Sequence, residues 1–180
     1  MKATFAIVCF LVSLTYAHAQ KDRIPGKVIK NHGATYAVDN PDYKTNLEEE
    51  YKVVFDVSSA PEDPAVTNKW IGTIARFLNM HVQDGKSTET LHPVMVMHGN
   101  ASYGLLKNEY YKEKFGVDNP NIDLIEALKN ANVTIILCGQ TAAHRDLTEE
   151  RRLSDISVSL SAMTALIQLQ NRGYQLINFN

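Results

Sequence analysis

The chain has 180 residues and a mass of 20.1 kDa, room for one ordinary domain but not two. Hydrophobic residues at 44% and charged residues at 21% exclude chain-wide disorder, collagen and a disulfide-knotted miniprotein. Lys and Arg number 18 against 20 Asp and Glu, a net charge of −2, so no basic excess points to a nucleic acid or an anionic lipid surface.

The first residues read as a leader. Met1-Lys2 is a short positive start, Phe5 to Leu14 is an apolar run, and Ala17-His18-Ala19 fits the small-x-small cleavage rule. Residues 1–19 are therefore expected to be a cleavable signal peptide and the protein to be periplasmic or secreted. The run is too short to span a bilayer, and no later segment is long and apolar enough. Cleavage would remove Cys9 and leave Cys138 as the only cysteine, which cannot form an intramolecular disulfide.

Residues 20–49 are polar and interrupted by Pro25, Gly26, Gly33 and Pro41, and read as an arm with little regular structure. A domain over residues 50–180 follows. Tyr51–Val57 is β-branched and aromatic and predicts a first strand. Apolar residues Ile71, Ile74, Ala75, Leu78 and Val82 recur at helical steps and predict a helix over about 65–82. Pro93–His98 is a second strand, and its continuous apolar character suits burial on both faces. Helices are expected over about 102–115 and 120–130, the second with Asn119 as its cap. Val133–Cys138 is a third apolar strand. Short helical pieces are expected over 140–147 and 148–153. A long helix over 158–171 is expected to turn Leu160, Met163, Leu166, Ile167 and Gln170 to one side, and 174–179 is a last strand.

Strands alternating with helices require a parallel sheet with helices on both faces. In such sheets sites lie beyond the carboxyl ends of the strands. Those ends here carry Asp56-Val57-Ser58, His98-Gly99-Asn100 and Cys138-Gly139-Gln140.

Cys138 closes a strand and precedes a predicted helix, where the helix dipole and free N–H groups stabilise a thiolate. Gly139 allows amides to approach the sulfur. The residues alone leave open whether Cys138 is such a thiol or a small buried apolar side chain. His98 and His144 are candidates for a base or cation beside it. Arg145, Arg151 and Arg152 follow and either hold an anion or pair with the adjoining Glu149 and Glu150. No GxGxxG, P-loop or GxSxG motif is present, so no nucleotide cofactor is indicated. No ligand pair has a strong metal spacing.

His98-Gly99 with Leu105-Leu106, the run Asn119 to Leu128, the strand Val133 to Gly139 ending in Cys-Gly, and Leu166 to Tyr174 together resemble the DsrE/DsrF-like sulfur-relay family over Tyr51–Phe179. The resemblance implies a three-layer α/β sandwich with a mainly parallel sheet of about five strands. It implies a homo-oligomer, often a trimer or hexamer, and a partner that donates or accepts sulfur. It places the persulfide-carrying cysteine at Cys138, with Gly139 and Gln140 contributing amides and a histidine as helper. Two other readings stand beside it: a non-catalytic binding protein presenting a cleft near His98, Asn100 and Cys138, and a redox or metal-binding envelope protein.

Overall fold

The computed structural model describes residues 22–178, and the leader expected over residues 1–19 lies outside them. Five strands form the sheet: β1 (Tyr51–Val57), β2 (Leu91–Met97), β3 (Thr134–Cys138), β4 (Ser157–Ser159) and β5 (Gln175–Ile177). Their order is β4-β3-β2-β1-β5, and every neighbouring pair is parallel. Between them lie α1 (Lys69–Gln83), α2 (Asn108–Phe115), α3 (Ile122–Asn130), α4 (Gly139–Arg145) and α5 (Ala162–Asn171). The α/β architecture expected from the alternating pattern is the one observed.

Side-chain alternation along the strands divides the interior in two. Phe55, Val57, Met95, Met97, Ile135 and Leu137 face α1 and α3 and pack with Ile71, Ile74, Leu78, Leu124 and Leu128. Val54, Val94, Val96 and Cys138 face the other way, against Ala162, Ala165 and Leu169 of α5. Each large aliphatic side chain so buried contributes about 1.5–3 kcal/mol. The smaller second core holds the sheet face on which Cys138 sits.

Local chemistry moved several boundaries. α1 starts at Lys69 rather than near Ala65, because Asn68 caps it, its Oδ1 accepting from the Trp70 amide at 2.9 Å. The helix expected over 102–115 is broken into a 3-10 turn (Gly99–Leu105) and α2. Buried Asn119 donates to the carbonyls of Gly104 at 2.9 Å and Leu106 at 2.7 Å, and Leu106 bridges Arg152, so the chain is held extended between the two pieces. Asn119 thus serves the preceding loop, and the cap position of α3 falls to Asn121. Residues 148–153 are turns and that bridge, not a helix.

The largest correction concerns the last helix. Residues 157–159 form edge strand β4, and α5 begins only after Ser161, whose hydroxyl accepts from the Thr164 amide at 3.1 Å. The stripe packed on the sheet is Ala162, Ala165 and Leu169, whereas Leu160, Met163 and Ile167 are 72%, 72% and 58% exposed. Small residues let α5 lie close to the sheet, and the larger apolar row therefore points outward.

The arm, residues 22–49, carries one isolated antiparallel bridge, Ile24 to Thr35, and is held by two buried polar anchors. Asn79 of α1 accepts from the amides of Val28 and Ile29 and donates to the carbonyls of Ile29, His32 and Gly33. The Lys86 ammonium, buried with its side chain, donates to the carbonyls of Asn46, Leu47 and Glu49 and lies 4.1 Å from the Tyr51 ring centroid.

Candidate functional site

The strand register assembles the site. β1 pairs Val57 with Met97, and β2 pairs Met97 with Leu137. The residues that follow the last two, His98 and Cys138, therefore leave adjacent strands side by side. With a period of two, Asp56 follows Val54, His98 follows Val96 and Cys138 follows Ile136 onto the same face, the one covered by α5. Three adjacent strand ends thus bring a carboxylate, an imidazole and a thiol to one edge.

His98 Nε2 lies 2.8 Å from Asp56 Oδ1. An ionised carboxylate only accepts, so Nε2 carries the hydrogen and Nδ1 is left to exchange a proton. The His98 side chain is 31% exposed and that of Asp56 14%. The Asp56 hydrogen bond raises the His98 pKa above its ordinary value; partial burial opposes this, and the negative charges of Asp56 and Cys138 add to it. The sequence pattern places Asp56 at a strand end but assigns it no role. Its signal was its place two residues beyond Val54 at a strand end.

Cys138 is 5% exposed and free of any disulfide. Burial works against its ionisation, but the Thr141 hydroxyl and the amides of Thr141, Ala162 and Gln140 outweigh it and hold the thiol below its ordinary value. Those amides come from two helices. Gln140 and Thr141 open α4, and Ala162 opens α5. The Thr141 amide belongs to the helix expected after Cys138, whereas the contribution of Ala162 depends on the β4–α5 connection returning across the end of β3.

Gly139 makes that return possible. A Cβ there would stand 2.4 Å from the Ser159 carbonyl oxygen, closer than any side chain tolerates. Gly99, at φ +55°, does the same beside His98, where a Cβ would stand 2.7 Å from the Ser58 carbonyl oxygen. Gln140 also donates through Nε2 to the Leu160 carbonyl at 3.3 Å, tying α4 to the same connection.

The remaining sequence candidates fall apart spatially. His144 is exposed on the last turn of α4, and among the described residues no hydrogen bond or charge interaction joins it to Cys138. Asn100 is exposed and lines a cleft of about 350 Å³ with Pro61, Pro64, Tyr103, Tyr111 and Phe115. Among the described residues no group of three or more His, Cys, Asp or Glu side chains gathers to hold a metal. Nor is any described helix long and apolar enough to cross a membrane.

A thiol at the carboxyl edge of a five-stranded parallel sheet, beside a histidine–carboxylate pair, defines a three-layer α/β protein with a candidate thiol centre. The model of the DsrE/DsrF-like family matches residues 52–179, and the chain belongs to that family. Among solved structures it is similar to the protein of unknown function MTH1491 from Methanobacterium thermoautotrophicum, at 16% identity and TM-score 0.55. It is similar also to the ychN protein from E. coli, at 16% identity and TM-score 0.53. Each match covers 72% of this chain and 99% of the other. Likeness at this identity speaks for the fold alone. No curated protein matches the chain.

Proposed function

We propose that the protein is a sulfur carrier that holds sulfane sulfur as a persulfide on Cys138. The observation that carries this reading is the place of Cys138 at the opening of α4, next to the Asp56–His98 pair, where the Thr141 hydroxyl and nearby amides hold the thiol below its ordinary pKa against burial.

The chemistry is thiol–disulfide exchange without net redox change. The Cys138 thiolate attacks the outer sulfur of a donor persulfide. A Cys138–sulfur bond forms, the donor's sulfur–sulfur bond breaks, and the donor leaves as a thiolate with that electron pair. Discharge reverses the roles: an acceptor thiolate takes the outer sulfur and Cys138 departs as thiolate. A stabilised Cys138 anion favours both halves, since it raises the nucleophile's population and makes Cys138 a better leaving group. His98, held by Asp56, supplies a cation facing that anion and a nitrogen through which the proton passes.

Export to the periplasm or outside the cell is part of the proposal, supported by the leader-like residues 1–19. So is assembly of several copies, for which the outward row of Leu160 just before α5 and Met163 and Ile167 on it supplies an apolar face. A partner protein would deliver or collect the sulfur.

One observation favours a second reading. Cys138 is 95% covered, as a packing residue in a non-catalytic binding protein would be. Discharge separates the two. Protein incubated with polysulfide, desalted and mixed with a small thiol should release sulfide in proportion to the chain, and Cys138→Ser protein should release none. Equal release from both would end the carrier reading.

A further inference from the structure

Of the three arginines over residues 145–152, two are committed. Arg151 pairs with Asp146 and Glu113, and Arg152 donates to the Leu147 carbonyl at 3.3 Å. Arg145 is different. Its guanidinium carbon lies 4.7 Å from the centroid of Tyr103, and the Lys114 ammonium lies 4.5 Å from the same centroid. Arg145 ends α4 and Lys114 lies in the last turn of α2, so two separate elements bring a cation each to one half-buried ring.

Among the described residues, neither cation has a carboxylate within ion-pair distance, although Lys112, Lys129 and Arg151 all do. The two charges are within about 9 Å of each other, near the roughly 8 Å screening length of physiological salt, so they repel. The Tyr103 face, with Phe115 5.6 Å from the Lys114 ammonium, offsets that repulsion only weakly. The Tyr103 hydroxyl adds a donor beside them; burial opposes its ionisation, but the hydrogen bonds and charges of Arg145 and Lys114 outweigh that and hold it below its ordinary value. The cluster is a place built for negative charge and left without any.

We propose that Lys114, Arg145 and the Tyr103 hydroxyl form a binding site for a small doubly charged oxyanion, the class that includes sulfate and thiosulfate. Two cations from different elements match a dianion in charge, and a planar guanidinium, an ammonium and a hydroxyl supply donors to different oxygens. The site stands independently of the carrier reading, because it uses none of the Cys138, His98 or Asp56 side chains.

The test is calorimetric titration of the full-length mature protein with sodium thiosulfate and sodium sulfate, with chloride at equal ionic strength as control. Saturable binding of one dianion per chain is expected, weakened roughly ten-fold by Lys114→Gln or Arg145→Gln and lost in the double variant. Cys138→Ser should bind as the parent does. A second readout is the ultraviolet titration of Tyr103, taken as the difference from Tyr103→Phe. Dianion should raise the pH at which the phenol ionises in the parent and not in the double variant. Undiminished binding in the double variant, loss of binding in Cys138→Ser, or no saturable binding to the parent would each overturn the proposal.

Discussion

His98 Nε2 and Asp56 Oδ1 are 2.8 Å apart at the ends of neighbouring strands, and the charge of Cys138 on the third strand acts on the same imidazole. The pair fixes which ring nitrogen is protonated and favours the imidazolium. A group whose pKa is raised by folding stabilises the fold fully below its ordinary value, 6.5 for histidine, and loses that contribution as pH rises through the raised value. Asp56→Asn should therefore lower the His98 titration midpoint followed by proton NMR. It should also flatten the fall in urea-unfolding stability between the two values. An unchanged midpoint would remove Asp56 from the site.

The thiol shift runs the other way. Folding holds Cys138 below its ordinary 9.0, so the thiolate's contribution to stability is present above that value and lost as pH falls through the depressed one. The Thr141 hydroxyl is the largest favourable influence on it. Thr141→Val should move the pH midpoint of Cys138 alkylation upward and slow alkylation at neutral pH by roughly three- to ten-fold. A profile identical to the parent's would show that the hydroxyl does not act on the sulfur.

Gly139→Ala forces a Cβ to within 2.4 Å of the Ser159 carbonyl oxygen, a backbone atom that cannot rotate away. Urea unfolding should show a loss of about 1–3 kcal/mol, the usual cost of overpacking. The amides around Cys138 should be disturbed with it, so alkylation should change as well. Full stability in this variant would mean that the β4–α5 connection yields without cost.

Asn79 alone satisfies five backbone groups of the arm. Asn79→Ala leaves the Val28 and Ile29 amides without their acceptor, at about 1–3 kcal/mol for each buried group left unpaired. Hydrogen exchange should accelerate at residues 28–33 while the β2 amides stay protected. Uniform acceleration would mean instead that the arm and the sheet open together.

The outward row on α5 leads to a prediction about assembly. Met163→Glu with Ile167→Glu places two charges in the exposed stripe without touching Ala162, Ala165 or Leu169. Sedimentation should show an oligomer for the parent and a monomer for the double variant. A parent that sediments as a monomer would contradict assembly through this face.

The sheet was legible where the pattern was dense. β2 and β3 are continuous apolar runs bounded by Gly99 and Gly139, and such runs admit few other readings. The strand ends, and with them the neighbourhood of Cys138, followed from topology. Leu160, Met163 and Ile167 repeat at helical spacing and look like a core stripe, whereas the sheet is packed by Ala162, Ala165 and Leu169. Periodicity identifies an apolar face but does not say whether the chain's own sheet or something else covers it. Ser157–Ser159 could not be told from a helix start, since three residues give no period. Asp56 went unnamed among the site residues, for its role exists only once β1 lies beside β2.

The central claim is that Cys138 takes up sulfane sulfur in the folded protein. Intact-mass spectrometry of the protein exposed to polysulfide, with Cys138→Ser alongside, tests it most directly. The account predicts the gain of one or more sulfur atoms on the parent only, removed by a reductant. No gain, with the thiol resisting alkylation until the protein is denatured, would contradict it and make Cys138 a packing residue.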